Sequence, residues 1–321
     1  MLAPRDCLAD RAREGGRLEC YLSEERVDSA GERLGEAGQA RAHVVGQARF
    51  PLTGKQSPIV LHTELTGSTQ DDLADLWREG SVPAGAVMIA DNMTAARGRV
   101  GRPWFTRAGK SLLVSVLLEF DESIADRLAW VTLAGAMAAL ESVRRHCAQE
   151  GGPETAISWP NDVVAITPAG PRKLGGLLGE VCGRRDGKVA CILGWGLNLS
   201  LEADELPTPT AASLLTSGLK TAGRDELIAT YLEGLHARLD ALADAGDPQA
   251  AGLVDEANAV TETLRPGVVV GRPRLEPLVG EGIRVLPDAS LEILTRNGLE
   301  VVTSGEVSLL GMQPRAEGEI R

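Results

Sequence analysis

The sequence predicts an α+β protein, a mixed sheet with packed helices followed by a small all-β unit. Three observations carry that prediction. Short apolar runs alternate with helical periods from Ile59 to about Ala243. After Pro266 only short apolar segments remain, separated by Gly, Pro and Asn. An apolar content of 43% and a charged content of 24% are those of a globular chain, and 321 residues suffice for one sizeable core plus an accessory domain.

Residues 1–56 are rich in Arg, Glu, Gly and Ala, without a sustained period, which predicts a poorly ordered or weakly helical extension. Ser29 to Val45 admits two short helices, but no wing or basic recognition helix accompanies them, so DNA binding is not expected. Ile59 to Leu65 reads as a strand. Ser68 or Thr69, followed by Asp71 and Asp72, starts a capped helix that runs to about Glu79. Val87 to Ala90 and Leu112 to Leu118 suit buried strands. Ser123 to about His146 is apolar on nearly every face, as a helix inside a core would be.

Further strands are predicted at Ala156 to Trp159, Leu177 to Cys182 and Val189 to Leu193, with the Asp-Gly signal of a hairpin turn within 183–187. Leu227, Tyr231, Leu235, Leu239 and Leu242 recur at helical spacing and predict a helix from Arg224 to about Ala243. Val268 to Val270, Gly282 to Leu286, Leu291 to Leu294 and Leu299 to Thr303 read as a small barrel of about five strands. The expected division is an extension at 1–56, a main domain at 57–262 and a C-terminal domain at 263–321.

Composition excludes several classes of function. No apolar run reaches the ~20 residues of a membrane crossing, and residues 1–20 lack the apolar centre of an export signal. Five scattered cysteines without a CxxC pair suit a reducing compartment and indicate neither a disulfide framework nor a zinc site. A cytoplasmic location without membrane attachment is expected. The net charge of −12 argues against a general nucleic-acid partner.

Against that acidic background, Asn92 to Leu118 carries Arg97, Arg99, Arg102, Arg107 and Lys110 and no acidic residue. Arg97-Gly98-Arg99-Val100-Gly101-Arg102 alternates guanidinium groups, matched to phosphate and carboxylate oxygens, with glycines that allow backbone N–H groups close to an anion. A solvated basic loop between two strands fits the spacing equally well. The loop is neither a Walker P-loop nor a GxGxxG turn.

Five blocks occur in succession: Gly67-Ser68-Thr69; Arg97 to Trp104; Trp159-Pro160-Asn161-Asp162; Lys173 to Glu180; and Gly194-Trp195-Gly196-Leu197-Asn198. Together they resemble the biotin protein ligase family over roughly residues 60 to 200. The segment Val302-Thr303-Ser304-Gly305-Glu306-Val307 resembles that family's small SH3-like C-terminal domain. The resemblance implies a catalytic core like that of class II aminoacyl-tRNA synthetases. It implies an ATP-dependent ligase that makes biotinyl-5′-AMP and transfers biotin to a lysine of a biotin carboxyl carrier domain of acetyl-CoA or a related acyl-CoA carboxylase. Magnesium would accompany ATP, held mainly by its phosphates near Asn198, and a homodimer is left open.

By the same resemblance Ser68, Thr69 and Gln70 would contact the ureido end of biotin. Arg97, Gly98 and Arg99 would wrap the carboxylate and phosphate, and Trp104 would help to close the loop. Lys173 would neutralise charge during attack on the α-phosphate, and Asp162 would orient or deprotonate the acceptor lysine. Gly176, Gly194 and Gly196 line the same ligand, and Val100 is expected to be a packing residue. Trp195 is left between ligand contact and core.

The chain departs from the family at Met93, where glutamine is usual, at Ala96, where glycine is usual, and at Ser158, where lysine is usual. Met93, counted with the binding residues, would remove a polar contact, Ala96 would restrict the loop and Ser158 would remove a positive charge. A ligase for lipoate or another acid and a catalytically weakened biotin-binding regulator are the alternatives.

Overall fold

The computed structural model describes residues 44–46, 48–122, 127–272, 275–303 and 305–309, and the statements below concern these. The two short helices that Ser29 to Val45 admits lie outside them up to residue 43, as do the start of the helix read from Ser123 and Ser304; Val44 and Val45 are strand, not helix. The architecture is mixed α+β, built on two sheets.

The large sheet has eight strands in the order β1-β2-β3-β4-β8-β7-β6-β5. In chain order these are β1 (Val44–Val45), β2 (Val60–Thr66), β3 (Val87–Met93), β4 (Ser111–Asp121), β5 (Thr155–Ser158), β6 (Asp162–Thr167), β7 (Gly170–Arg185) and β8 (Lys188–Asn198). Only β2 and β3 run parallel. Their crossover is the helix α2 (Thr69–Arg78), as parallel pairing requires a connection longer than a turn. The β7–β8 hairpin closes on Asp186 and Gly187, both at positive φ, the geometry that Asp-Gly favours.

Two helices cover one face. In α3 (Leu128–Cys147), Trp130, Leu133, Met137 and Leu140 are buried on several sides of the helix. The predicted stripe of α4 (Arg224–Ala245), Leu227, Tyr231, Leu235, Leu239 and Leu242, is buried throughout. The start of α4 is fixed by Glu226, whose carboxylate accepts the Gly223 N–H at 3.2 Å, and its end by Gly246 in the left-handed region. The other face carries α2, whose Leu73, Ala74 and Trp77 pack on Met88, Leu117, Ala190 and Ile192.

Four differences from the sequence reading have physical causes. Residues 44–56, assigned there to the extension, include β1 and the short helix α1 (Thr53–Gln56). Asp225 of α4 accepts the Leu52 and Thr53 N–H groups at 2.9 and 2.8 Å, and Phe50 is buried, so tertiary contacts order a segment of weak local preference. Strand β6 is not among the predicted strands, because Asn161 and Asp162 follow Pro160 and only Val163 to Ile166 are apolar. Strand β7 begins at Gly170, since its glycines and Lys173 mask the pleat. Helix α5 (Leu253–Val260) is too short to show a period.

The C-terminal strands β9 (Val268–Arg272), β10 (Leu275–Val285), β11 (Leu291–Thr295), β12 (Gly298–Val302) and β13 (Glu306–Val307) form an antiparallel sheet in the order β12-β11-β10-β9-β13. It is a separate small sheet with β12 and β13 at its edges. Its inner residues Val268, Val270, Leu291, Ile293 and Val302 join the core under α3. Trp130 and Trp159 bind it further, donating from their indole nitrogens to the carbonyls of Pro287 and Ala289 at 2.8 and 2.9 Å. Among the described residues no helix is long and apolar enough to cross a membrane.

Candidate active site

The site lies on the α2 face of the large sheet, where side chains stop filling it. Alternation along β8 sends Cys191, Leu193, Trp195 and Leu197 into the larger core, and Ala190 and Ile192 into the smaller one under α2. It then places Gly194, Gly196 and Asn198 on the α2 face. Gly196 pairs with Leu113 of β4 and Gly176 of β7, and Gly176 pairs with Asp162 of β6, so one row crosses four strands. In the next row Gly194 lies between Ser115 and Leu178. Trp195 faces away and packs on Tyr231 at 4.8 Å between ring centroids, which settles it as core.

Side chains from elsewhere cover this floor, and the glycines are what allow them so close. A Cβ at Gly194 would lie 2.9 Å from Gln70 Oε1, and one at Gly196 would lie 2.8 Å from Trp104 Nε1. At Gly176 it would meet Asp162 Oδ1 at 2.7 Å and Lys173 Nζ at 3.3 Å. Gln70, Trp104, Lys173 and Asp162 thus sit against backbone.

Ser68 caps α2, its hydroxyl accepting the Asp71 N–H at 3.3 Å. The Thr69 hydroxyl lies 2.8 Å from that of Ser115, and the Gln70 amide donates to the Leu178 carbonyl at 3.2 Å. Met93 does not merely delete a polar contact. Its sulfur, a weak acceptor, lies 3.4 Å from the Thr69 nitrogen and 3.6 Å from its hydroxyl.

The basic loop is a hairpin from Ala96 to Trp104. The Trp104 N–H donates to Ala96 O at 2.9 Å, and that of Gly98 to Arg102 O at 2.7 Å. Val100 and Gly101 turn its tip at φ 56° and 70°. The expectation that Val100 packs is therefore corrected: it is 80% exposed, because the tip projects beyond the core. Ala96 is buried beneath the hairpin.

The two central arginines have different partners. Arg97 donates to both oxygens of Asp71 at 2.6 and 2.7 Å and reaches Glu180 at 3.4 Å. Its hydrogen bonds to Asp71 outweigh desolvation and push its pKa up, so it remains charged. Arg99 donates to Asn161 Oδ1 at 3.2 Å and to the Gly305 carbonyl at 3.0 Å. Asn161 is itself anchored on Leu177, donating to its carbonyl at 2.7 Å and accepting its N–H at 3.0 Å.

Next to Asn161, Asp162 Oδ2 lies 2.6 Å from Lys173 Nζ, and that ammonium is 5.4 Å from the centre of the Trp104 ring. Asp162 Oδ1 and Trp104 Nε1 are buried and have no hydrogen-bond partner among the described residues. Each can therefore accept from, or donate to, a ligand without losing an existing bond. Ser158, paired opposite Asp162 in the β5–β6 hairpin, is buried.

Asn198 is buried, its amide donating to the Ala212 carbonyl at 2.9 Å, so it tethers the chain after β8. Among the described residues no three His, Cys, Asp or Glu side chains come together to hold a metal ion. Two clefts of about 430 and 600 Å³, beside Glu141 and Arg238 and beside Ile166 and Ala259, lie away from these residues.

The structure thus brings Ser68, Thr69, Gln70, Met93, Arg97, Gly98, Arg99, Trp104, Asp162, Lys173, Gly176, Gly194 and Gly196 to one face. Sequence reasoning missed Ser115, Asn161, Glu180 and Gly305, and read Asp71 only as a helix-start acid. Asn161 and Glu180 each lie inside one of the five blocks and Gly305 inside the C-terminal segment, which were the available signals; Ser115 carried none.

Residues 63–198 match the biotin/lipoate A/B protein ligase family. Over 239 residues the chain is 34% identical to the biotin–[acetyl-CoA-carboxylase] ligase of Mycobacterium tuberculosis, covering 74% of this chain and 84% of that protein. It is 28% identical over 162 residues to the bifunctional ligase/repressor BirA of Bacillus spizizenii, covering 50% of this chain and 47% of that one. The biotin protein ligase of Aquifex aeolicus, solved with biotin and ATP, shares the fold at a TM-score of 0.61 and 22% identity, over 78% of this chain and 97% of that one.

Proposed function

The chain belongs to the biotin/lipoate A/B protein ligase family, and on that premise we propose that it is a biotin–[acetyl-CoA-carboxylase] ligase. It activates biotin with ATP to biotinyl-5′-AMP and transfers biotin to a lysine of a carboxylase's biotin carboxyl carrier domain. The observation that carries this reading is the glycine floor of β7 and β8, with Lys173, Asp162 and Trp104 gathered over it and the Arg97–Arg102 hairpin alongside.

In the first step a biotin carboxylate oxygen attacks the α-phosphorus of ATP, and pyrophosphate leaves. Two anions must meet, so fixed cations aimed at the developing charge lower the barrier. Lys173 and Arg99 serve here. Arg97 is held by Asp71 and Glu180, and a bound carboxylate or phosphate would take over that guanidinium by exchange. Ser68, Thr69 and Gln70 bind the ureido end, and Trp104 lies against the adenylate with its free N–H.

In the second step the acceptor lysine amine attacks the acyl carbon of the mixed anhydride, forming the amide while AMP leaves. Asp162 is suited to receive the amine's proton, because Lys173 fixes one oxygen and the other has no hydrogen-bond partner among the described residues. Magnesium would be held mainly by the ATP phosphates and would neutralise part of their charge, while Asn198 supports the nearby backbone. The five-stranded sheet is read as the SH3-like domain at 263–321, and the main domain as 57–262 joined by residues 44–56, which add β1 and α1 to it. A cytoplasmic location accords with the free Cys147, Cys182 and Cys191.

Mass spectrometry of a biotin carboxyl carrier domain, incubated with the protein, ATP and biotin, is expected to show one added biotinyl group. Lipoate in place of biotin should give none, and the reverse result would reassign the acid. Lys173→Ala and Arg99→Ala should each slow biotin-dependent pyrophosphate exchange by about 100-fold with the fold retained. Wild-type rates in both would remove these residues from the site.

A further inference from the structure

We infer that Gly305, in the connection between β12 and β13 of the small sheet, is a positioning residue for Arg99. The inference rests on the reading of Arg99 as a cation of adenylate formation. Arg99 sits in a hairpin whose tip residue, Val100, is 80% exposed. Among its partners are two oxygens from different sheets. Asn161 Oδ1 accepts from Nη1 at 3.2 Å, and the Gly305 carbonyl accepts from the same nitrogen at 3.0 Å.

Both oxygens are held by their surroundings. Asn161 is bonded twice to Leu177, and Gly305 is buried with its Cα facing Val270 and Gly271 of β9. A Cβ at Gly305 would lie 2.6 Å from Val270 Cγ1, 3.2 Å from Gly271 O and 3.2 Å from Val302 Cγ1. The carbonyl therefore reaches Arg99 because this position has no side chain. A larger residue would push the backbone off β9 and carry the carbonyl with it. The small sheet, through Gly305, thus sets the direction of a cation that belongs to the large one.

A mutant cycle tests this by biotin-dependent pyrophosphate exchange, with circular dichroism and thermal melting to check the fold. Gly305→Ala is expected to lower kcat about tenfold while the KM for biotin stays within about twofold, because the Ser68–Gln70 end is untouched. In an Arg99→Ala background the same change should add nothing. Val270→Ala combined with Gly305→Ala should restore most of the rate, since the nearest clashing atom is gone. Equal losses in both backgrounds, or no loss at all while Arg99→Ala is impaired, would overturn the inference and leave the functional reading intact. An unimpaired Arg99→Ala would instead sink the reading of Arg99 itself. Should Gly305→Ala not fold, Arg99→Lys decides, because it keeps the charge without the guanidinium geometry. A loss comparable to Arg99→Ala supports the positioning role, and a wild-type rate refutes it.

Discussion

Val100 and the two arginines beside it show how much one residue's surroundings decide. A β-branched side chain at φ 56° is an outlier, because Cβ crowds the following carbonyl. At 80% exposure Val100 has no compensating burial. Val100→Asn is expected to stabilise the fold by about 0.5–1 kcal/mol, since asparagine tolerates the left-handed region. Urea denaturation would measure it, and an unchanged or lower midpoint would show that the valine is not strained. Arg97 and Arg99 are chemically identical and two positions apart. One is clasped by the carboxylates of Asp71 and Glu180, and the other is held by Asn161 and Gly305. Their division of labour comes from these neighbours.

At the scale of the element, the strand pair β7–β8 does two jobs through its pleat. One face fills the core with Leu177, Leu193, Trp195 and Leu197, while the other turns to glycine where a ligand must approach. The Gly-Trp-Gly run was legible as a place of close approach, but which groups would sit there was not. Gly196→Ala puts a methyl 2.8 Å from Trp104 Nε1 and 2.9 Å from Cε2, so the indole must leave the strand. Adenylate formation should fall by at least about tenfold. The melting temperature should move little, because the half-buried Trp104 is a cover and not part of the core. A large drop in melting temperature with normal kinetics would assign Trp104 to stability instead. The β5–β6 hairpin is the opposite case: Trp159 enters the core, and Asn161 and Asp162 turn toward the site.

At the scale of the whole molecule, two partly buried groups among the described residues, His236 and Asp91, tie stability to acid. Burial lowers the pKa of His236 below 6.5, with Asp240 opposing the shift. The unfolded chain therefore binds this proton before the folded one does. Stability is complete above the unfolded value and is lost as pH falls from 6.5 through the lower, folded one. Asp91 follows in more acid solution. Burial would raise its pKa, but the His62 and Arg224 partners outweigh that and hold it below 3.8. Its contribution is present above 3.8 and is lost as pH falls through the depressed value. Thermal melts against pH should thus decline in two stages, and His236→Gln should flatten the first while sparing the second. Loss of both stages together, or of neither, would contradict the assignment. The two sheets share one core, so the small sheet should melt with the large one.

Local chemistry determined what could be read from the chain alone. Helix periods, strand runs, the Asp-Gly turn and the N-cap at Ser68 are set by residues within a few positions, and each of the five blocks is a short run of the same kind, whose order along Gly67 to Asn198 led to biotin ligation. Tertiary structure decided the rest, because those contacts join residues remote in sequence. Strand β6 and the start of β7 exist through pairing that their own composition does not announce. Asp71 meets Arg97 across 26 positions, and Gly305 meets Arg99 across 206. Periodicity cannot express such distances, and only packing the small sheet against the large one brings that carbonyl to its cation.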